Sequence, residues 1–169
     1  MTEESIVITD TSVLINFLVL DKVELFRQLA EKRFLVTDHV RDEVTAHYSD
    51  QLERLKRAFA SQIIEEISVT DPSEIQLFAE LTRTGLGVGE CSAIAVAAHR
   101  NYSLAIDDRT ARKRVASRYP TIPVLTTESL VIQLIRESAL TVAEADAMKE
   151  AWENNHRFRL PFQSFAERI

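Results

Sequence analysis

The chain has 169 residues, 46% of them hydrophobic, and a formal net charge of −6 at pH 7. These values fit a single globular domain with its own core, and they exclude a protein that holds nucleic acid by bulk positive charge. The one cysteine excludes an internal disulfide and a zinc cluster built from cysteines, and it suits a reducing compartment.

No segment of the sequence is typical of membrane insertion. The longest apolar run, VLINFLVL at residues 13–20, is too short to cross a bilayer and contains Asn16. The acidic start MTEES is unlike a signal peptide. We therefore expect a cytoplasmic protein with no membrane partner.

Short runs of β-branched and other apolar residues, each bounded by polar residues, are typical of buried strands. They occupy residues 5–9, 33–37, 65–69, 103–106 and 122–126. Helical patterns lie between them, at residues 13–30 with a break near Asp21, 40–62, 73–100, 109–118 and 128–136. Because strand and helix alternate, we predict an α/β fold with three layers, in which helices cover both faces of a mostly parallel central sheet.

An extra C-terminal helix and tail are predicted after this alternating pattern. The helix should begin at Thr141, where TVAE has the form of a capping box with Glu144 in fourth place, and end near Asn154. Beyond it, RFRLPFQSFAERI alternates basic and aromatic residues around Pro161. We expect residues 141–169 to belong to the same unit as residues 1–140, with the tail packed on the body or covering a site.

All three glycines of the chain, Gly85, Gly87 and Gly89, stand in GLGVG just before Glu90. A phosphate-binding loop is disfavoured, because Glu90 takes the place where the dinucleotide fingerprint has Gly or Ala and because a helical stretch precedes it. We therefore predict that Gly85 ends one helix in a left-handed cap and that the other two glycines form the turn into the next helix.

Glu90 lies on the same helical stripe as Ala93, Ile94 and Ala97, and this stripe should face the core. An unpaired carboxylate removed from water costs roughly several kcal/mol, so Glu90 needs a metal, another cation or helix N-terminal donors. The simpler alternative is a first-turn glutamate satisfied by the helix dipole and an arginine.

Other carboxylates follow the predicted strands at their carboxyl ends, the edge where parallel α/β sheets bind ligands. Asp10 ends the first strand, and Asp107 and Asp108 follow a later one. Two adjacent carboxylates repel each other, and a bound cation relieves that repulsion. In each case the alternative is a residue that caps the following helix.

The second strand is followed by DHVRDEV, which carries Asp38, Asp42 and Glu43. Glu43 borders the apolar face of the predicted helix, whereas Asp38 is placed as its N-cap and Asp42 in solvent. Four segments thus bring carboxylates to one edge of the sheet or to a buried helix face. Such hard oxygen ligands favour Mg²⁺ or Mn²⁺ over zinc. The scattered histidines are predicted to be surface or packing residues: His39, His47, His99 and His156.

The ordered set of Asp10 in IVITDTSVLINF, Glu43 in VRDEV, Glu90 in GVGECSAIAVA and Asp107 with Asp108 in LAIDDRTAR resembles the PIN-domain nucleases. That family includes the VapC-type toxin nucleases of toxin–antitoxin pairs. The resemblance covers about residues 5–127. It implies a parallel sheet between helices and an acidic pocket that binds Mg²⁺ or Mn²⁺ and cleaves single-stranded RNA.

The resemblance also implies roles for individual residues. Four carboxylates would bind metal and act in catalysis: Asp10, Glu43, Glu90 and Asp108. Asp107 is implied as a further metal ligand, and which member of the Asp107–Asp108 pair contacts the metal stays open. Ser12 and Asn16 match polar positions that support the pocket.

The helix after the acidic pair, in DDRTARKRVASR, is strongly basic. Arg109, Arg112 and Lys113 should lie together on one side, away from the buried face made by Ala111 and Val115. We expect these three residues to bind the RNA backbone, so that local positive charge offsets the net charge of −6. The alternative is a solvated basic face with ordinary surface ion pairs.

The predicted function is therefore a metal-dependent endoribonuclease that cleaves single-stranded or structured RNA, as the toxin of a toxin–antitoxin pair does. Residues 1–140 would be its nuclease domain. Its partners would be RNA, a cognate antitoxin protein and a second copy of the chain. Two alternatives stay open, a structure-specific DNA nuclease and a catalytically silent module that binds RNA or protein.

Overall fold

The computed structural model describes residues 4–169, so the first three residues of the acidic start MTEES lie outside the described residues. Within residues 4–169, five strands form one parallel sheet: β1 Ser5–Thr9, β2 Lys32–Thr37, β3 Ile64–Ile67, β4 Ser103–Ala105 and β5 Val124–Leu125. Their spatial order is β3-β2-β1-β4-β5, and each neighbouring pair is parallel. The predicted parallel sheet is confirmed.

Eight α-helices lie between and after the strands in this part of the chain. They are α1 Thr11–Val19, α2 Asp38–His47, α3 Leu52–Ala60, α4 Pro72–Thr82, α5 Val88–Arg100, α6 Arg109–Arg118, α7 Thr127–Arg136 and α8 Val142–Asn155. Short 3-10 segments occupy Val23–Gln28, Ser49–Gln51 and Phe165–Glu167. None of the helices within residues 4–169 has the length and apolar composition needed to span a bilayer.

The sheet separates two hydrophobic cores, as the predicted three-layer arrangement requires. Successive side chains of a strand point to opposite faces, so Val7 of β1 packs with α1, α7 and α8, while Ile8 packs with α5 and α6. The first core contains Phe17 and Trp152, and the second contains Ile94. Helices therefore cover both faces, and the α/β fold with three layers is confirmed.

The structure corrects several predicted boundaries. The third strand runs from Ile64 to Ile67 rather than from residue 65 to 69. The break near Asp21 is confirmed, because α1 ends at Val19 and Asp21, two residues later, has a φ of 54°. The helix predicted over residues 40–62 is two helices, since the backbone turns at Tyr48 (φ −135°, ψ 47°) before a 3-10 segment leads into α3.

The N-cap of α2 is Thr37 rather than Asp38. The Thr37 hydroxyl accepts a hydrogen bond from the Val40 amide at 3.1 Å, while Asp38 is the first residue of the helix. Thr37 is buried and its hydroxyl also meets the Ser92 hydroxyl at 2.7 Å. The predicted N-cap was wrong because Thr37 and Asp38 are both short polar residues that can cap a helix. The buried Thr37, at the end of β2, takes the cap position.

Helix α8 begins at the predicted capping box, with Thr141 and Glu144 satisfying each other's backbone amides. The indole of Trp152 is fully buried and donates a hydrogen bond to the Asn16 carbonyl at 2.7 Å. The tail packs on the body, because Phe165 is buried and its amide donates to the Asp146 carboxylate at 2.8 Å. The last segment is thus joined to the main core.

Candidate active site

The carboxylates converge where the strand order changes direction. Strand β1 lies at the centre of the sheet, between β2 and β4. The chain adds β2 and β3 on one side of β1 and then β4 and β5 on the other side. In open parallel sheets, ligands bind in the crevice outside the carboxyl ends of the strands at such a switch point. Asp10 directly follows β1, and its amide donates to the carbonyl of Ala105, the last residue of β4, at 3.0 Å.

Asp10 is completely buried at this edge. Its Oδ1 accepts a hydrogen bond from the Val13 amide at 2.9 Å and so caps α1, as the alternative interpretation expected. Its Oδ2 is buried and has no hydrogen-bond partner within residues 4–169. Burial raises the pKa of Asp10 well above its usual value, although the Val13 hydrogen bond opposes the rise. Three carboxylates add to the rise by repulsion: Asp107, Glu90 and Glu43.

Glu43, on the face of α2 that meets α5, is held by hydrogen bonds at both oxygens. Oε1 accepts from the Gly89 amide at 2.7 Å, and Oε2 accepts from the Thr11 hydroxyl at 2.5 Å. A side chain at position 89 would clash, because a Cβ there would lie 2.6 Å from Glu43 Oε2 and 2.7 Å from Thr11 Oγ1. Gly89 is therefore required for the close approach of α5 to the Glu43 carboxylate.

The other two glycines lie in the turn before α5, but the predicted roles are only partly confirmed, because Arg83 rather than Gly85 caps α4 and Gly89 lies within α5 rather than in the turn. Gly85 has a φ of +86° and lies in the turn two residues after Arg83, the capping residue of α4. Gly87 is the N-cap of α5, where it offers no side-chain hydrogen bond. The turn places Glu90 in the first turn of α5.

Glu90 is half-buried, and its stripe of Ala93, Ile94 and Ala97 is buried in the core. Its Oε2 is buried without a hydrogen-bond partner, and no lysine or arginine among residues 4–169 forms an ion pair with it. Burial raises the pKa of Glu90, the Asp108 and Glu43 carboxylates add to the rise, and the Gly87 backbone opposes it. The alternative in which an arginine neutralises Glu90 is therefore wrong for residues 4–169.

The two adjacent aspartates after β4 have different surroundings. Asp107 Oδ1 accepts from the Thr127 amide at 2.8 Å, and Oδ2 accepts from the Thr127 hydroxyl at 2.6 Å and from Asn16 Nδ2 at 3.1 Å. Burial raises the pKa of Asp107, while these donors and Arg112 oppose the rise. Asp108 is exposed, and its Oδ2 caps α6 by accepting from the Ala111 amide at 2.8 Å.

Of the two residues expected to support the pocket, Asn16 is hydrogen-bonded to the acidic cluster and, in the described part of the chain, Ser12 is not. Asn16 is buried, and its amide nitrogen joins Asp107 to the Thr127 hydroxyl, with 3.1 Å to each oxygen. Ser12 is exposed on α1 and forms no hydrogen bond to the carboxylates within residues 4–169. Thr11, Gly89 and Thr127 complete the network, and sequence reasoning missed their roles. Thr127 had one signal, since it follows the last predicted strand at the same edge of the sheet.

The basic helix α6 begins at this cluster. Arg112 is half-buried, and its Nε donates to the Asp107 carbonyl at 3.2 Å. Arg109 and Lys113 are exposed. The three cations therefore start beside the acidic residues and extend along one helix into solvent.

A family model described as a PIN domain matches residues 6–167. The chain belongs to the PIN-domain family. PIN domains are generally nucleases that use divalent metal ions, so family membership supports a nuclease here. No curated protein matches the chain significantly.

Two solved structures share the PIN fold of this chain. One is VapBC2 from Rickettsia felis bound to a DNA fragment from their promoter, with a TM-score of 0.54 and 15% identity over 72% of this chain and 98% of that chain. The other is PAE2754 from Pyrobaculum aerophilum, with a TM-score of 0.52 and 16% identity over 83% of this chain and 99% of that chain. At these identities the similarity shows the fold alone.

The acidic residues of this PIN domain suit a divalent cation in their chemistry. As they stand, no three or more His, Cys, Asp or Glu side chains within residues 4–169 are arranged to hold a metal ion. However, Asp10 Oδ2 and Glu90 Oε2 are both buried without hydrogen-bond partners in the described part of the chain, in a group of mutually repelling carboxylates. Buried anionic oxygens of this kind need a compensating charge, and hard carboxylate oxygens are what Mg²⁺ and Mn²⁺ prefer.

Proposed function

We propose that this PIN-domain protein is a Mg²⁺- or Mn²⁺-dependent endoribonuclease. The observation that carries the proposal is the pair of buried oxygens on Asp10 and Glu90, at the switch point of the sheet, that have no hydrogen-bond partner among the residues the structure describes. Asp10 and Glu90 would hold the cation through these oxygens. Asp108 would join them through Oδ1, since only Oδ2 is used to cap α6. A divalent cation held there supplies Lewis-acid chemistry for the hydrolysis of a phosphodiester.

Glu43 and Asp107 have a different role in this proposal. Each already accepts hydrogen bonds on both oxygens, from Thr11 and Gly89 in one case and from Thr127 and Asn16 in the other. These hydrogen bonds fix the orientation of both carboxylates and connect them to α5 and α7. The two residues would then contribute negative charge to the metal site without binding the metal directly. Their catalytic and metal-binding contribution is therefore the preorganisation of the pocket.

The biological role proposed is that of a toxin nuclease. The similarity to the VapBC2 structure supports a cognate antitoxin as a partner, and we include a second copy of the chain as a further partner. We propose the cytoplasm as the location, because RNA is present there and the free, buried Cys91 needs no oxidising compartment. Residues 1–140 would form the nuclease domain, and residues 141–169 would be part of the same unit, since Trp152 binds the Asn16 carbonyl.

The proposal is tested by incubating the purified chain with pools of RNA, single-stranded DNA and structured DNA, each with Mg²⁺, with Mn²⁺ and with EDTA. We expect cleavage of RNA that requires the metal and stops in EDTA. Cleavage of structured DNA in preference to RNA would instead identify a structure-specific DNA nuclease. Absence of cleavage in all pools, with RNA or protein still bound, would identify a silent module.

Divalent metal is expected to raise the melting temperature. A ligand that binds only the folded state stabilises it by about 2.7 kcal/mol at a hundred-fold excess over Kd, which for a chain of this size is about 5–10 °C. Thermal melts with Mn²⁺, with Mg²⁺ and with EDTA measure the effect. Melting that is insensitive to both metals would contradict the proposed site.

The control for this experiment is Asp10→Asn, which should remove most of the metal effect. The folded-state pKa of Asp10 is raised, so the folded protein holds this proton more tightly than the unfolded chain does. In EDTA the stability of the parent should therefore fall as the pH rises through that raised pKa. The Asn variant should show a smaller fall, and at neutral pH without metal it should be at least as stable as the parent.

Replacing Arg112 and Lys113 by Ala is expected to weaken RNA binding at every sequence. Loss of these cations should lower the salt dependence of binding by about one to two phosphate contacts and leave metal affinity nearly unchanged. The measurement is RNA affinity as a function of salt concentration. A matched control is the double variant Lys32→Ala and Arg33→Ala, at the amino end of β2 and therefore at the opposite edge of the sheet. If affinity depended on salt concentration equally in the parent and the α6 variant, α6 would not be part of the RNA-binding surface.

A further inference from the structure

A cavity of about 320 Å³ opens beside the acidic cluster. Asn16 forms part of its wall and also binds Asp107 through its side chain at 3.1 Å, so one residue joins the cavity to the acidic cluster. It lies between α1, the end of α2 with the following 3-10 segment, and the end of α8. Its volume reaches the lower part of the range of small-ligand sites, which begins at about 300 Å³.

The walls of this cavity suit a flat aromatic ring. Ile15 and Val19 of α1 give it an apolar side, and Tyr48, His47 and His156 also line it. Tyr48 is 41% exposed, which makes it one of the few large hydrophobic side chains of the described chain that remain open to solvent. Both histidines are exposed as well. Nucleobases stack on such rings, and stacking tolerates any base because every base has a π-face.

The cavity suits a base better than a phosphate. Within the described chain, no lysine or arginine lines it, and Asp50 adds a negative charge at its edge. Gln51 also lines it, and the amide oxygen of this residue is occupied by a hydrogen bond from Arg54 at 3.2 Å. The amide nitrogen of Gln51 and the Asp50 carboxylate together supply donors and an acceptor, which is what the edge of a base requires.

We propose that this cavity, which we call the Tyr48 cavity, binds one unpaired base of the RNA substrate next to the phosphate that is cleaved. The proposal rests on the nuclease function proposed above, and it assigns recognition of an unpaired base to residues outside the acidic cluster. A base can enter the cavity only when it is not paired in a duplex, so this subsite gives a physical reason for the single-stranded substrate that the family resemblance implies.

The test combines protein variants with abasic substrates. A short labelled oligoribonucleotide is bound to the full chain in EDTA, which prevents cleavage, and its fluorescence anisotropy is measured. An abasic site is moved along the strand one position at a time. Tyr48→Ala should lower the affinity for the intact strand about ten-fold, and Tyr48→Phe should keep it, because the ring is retained. Thermal melts establish that each variant is folded.

The decisive result is the coupling between the two changes. In the parent, an abasic site at one position should lower the affinity about as much as Tyr48→Ala does, and in the Tyr48→Ala variant the same abasic site should cause no further loss. Independent, additive losses at every position would overturn the cavity assignment while leaving the nuclease proposal intact. Coupling with DNA but not with RNA would overturn the assignment to RNA. A parent chain that neither binds nor cleaves RNA would overturn both proposals.

Discussion

Replacing Glu90 by Gln is expected to abolish metal-dependent RNA cleavage while the fold survives. Gln keeps the size of the side chain but removes the charge that a cation needs at the partnerless Oε2. Mutation of residues that only orient metal ligands lowers activity or metal affinity about 10- to 100-fold. Loss of a direct ligand should therefore lower the cleavage rate by more than about a hundred-fold. The measurement is the cleavage rate in Mg²⁺ and in Mn²⁺.

A suitable control for this variant is Glu80→Gln, which makes the same chemical change at an exposed position on α4. It should cleave RNA at the parent rate. The Glu90→Gln protein should also melt in EDTA no earlier than the parent, because the substitution removes one of several mutually repelling carboxylates. If Glu90→Gln cleaved RNA as fast as the parent, Glu90 would be a structural residue of α5.

A large loss of stability is expected from Glu74→Ala. Glu74 is fully buried at the start of α4, and its two oxygens bind Arg100, at the end of α5, at 2.9 Å each. The Thr70 amide also donates to Glu74 Oε1 at 3.0 Å. Removing one partner of a buried pair leaves the other uncompensated and costs about 3–5 kcal/mol. Since the Arg100 side chain is 25% exposed, we expect a loss of about 3 kcal/mol, near the lower limit of that range.

A matched control is a second ion pair in which an arginine donates two hydrogen bonds to a glutamate. Arg33 binds Glu65 through two hydrogen bonds, at 2.9 and 2.5 Å, but both side chains are more than 40% exposed. Glu65→Ala should therefore cost at most about 1 kcal/mol. Urea unfolding of both variants gives the free energies of unfolding. Equal losses in the two variants would mean that burial does not strengthen the Glu74–Arg100 pair.

The architecture could be predicted because its determinants are local. Apolar runs of four or five residues between amphipathic stretches define a parallel sheet with covered faces, and the capping box at Thr141 marks the start of α8. The break at Tyr48 had no such signal, since neither glycine nor proline occurs in residues 40–62. Tertiary packing divides α2 from α3 there, and the same break creates part of the Tyr48 cavity.

The candidate site was predictable in its carboxylates but not in their connections. An acid at the end of a parallel strand is visible in the sequence, as Asp10 is. Whether Asp107 or Asp108 turns inward depends on donors 20 and 91 residues away, Thr127 and Asn16. Similarly, the need for Gly89 arises from Glu43, 46 residues earlier. Such pairings depend on how helices approach one another, and no local pattern encodes that approach.

The hydrogen bond from the Trp152 indole to the Asn16 carbonyl gives the protein an internal optical reporter. Trp152 is the only tryptophan in the chain, so its emission can be observed without interference from other indoles. Asn16 binds Asp107 through its side chain and borders the Tyr48 cavity. Indole emission depends on local polarity and hydrogen bonding, and occupation of either region should therefore change its intensity or wavelength. Loading of the pocket can be followed in this way in the unlabelled, native chain.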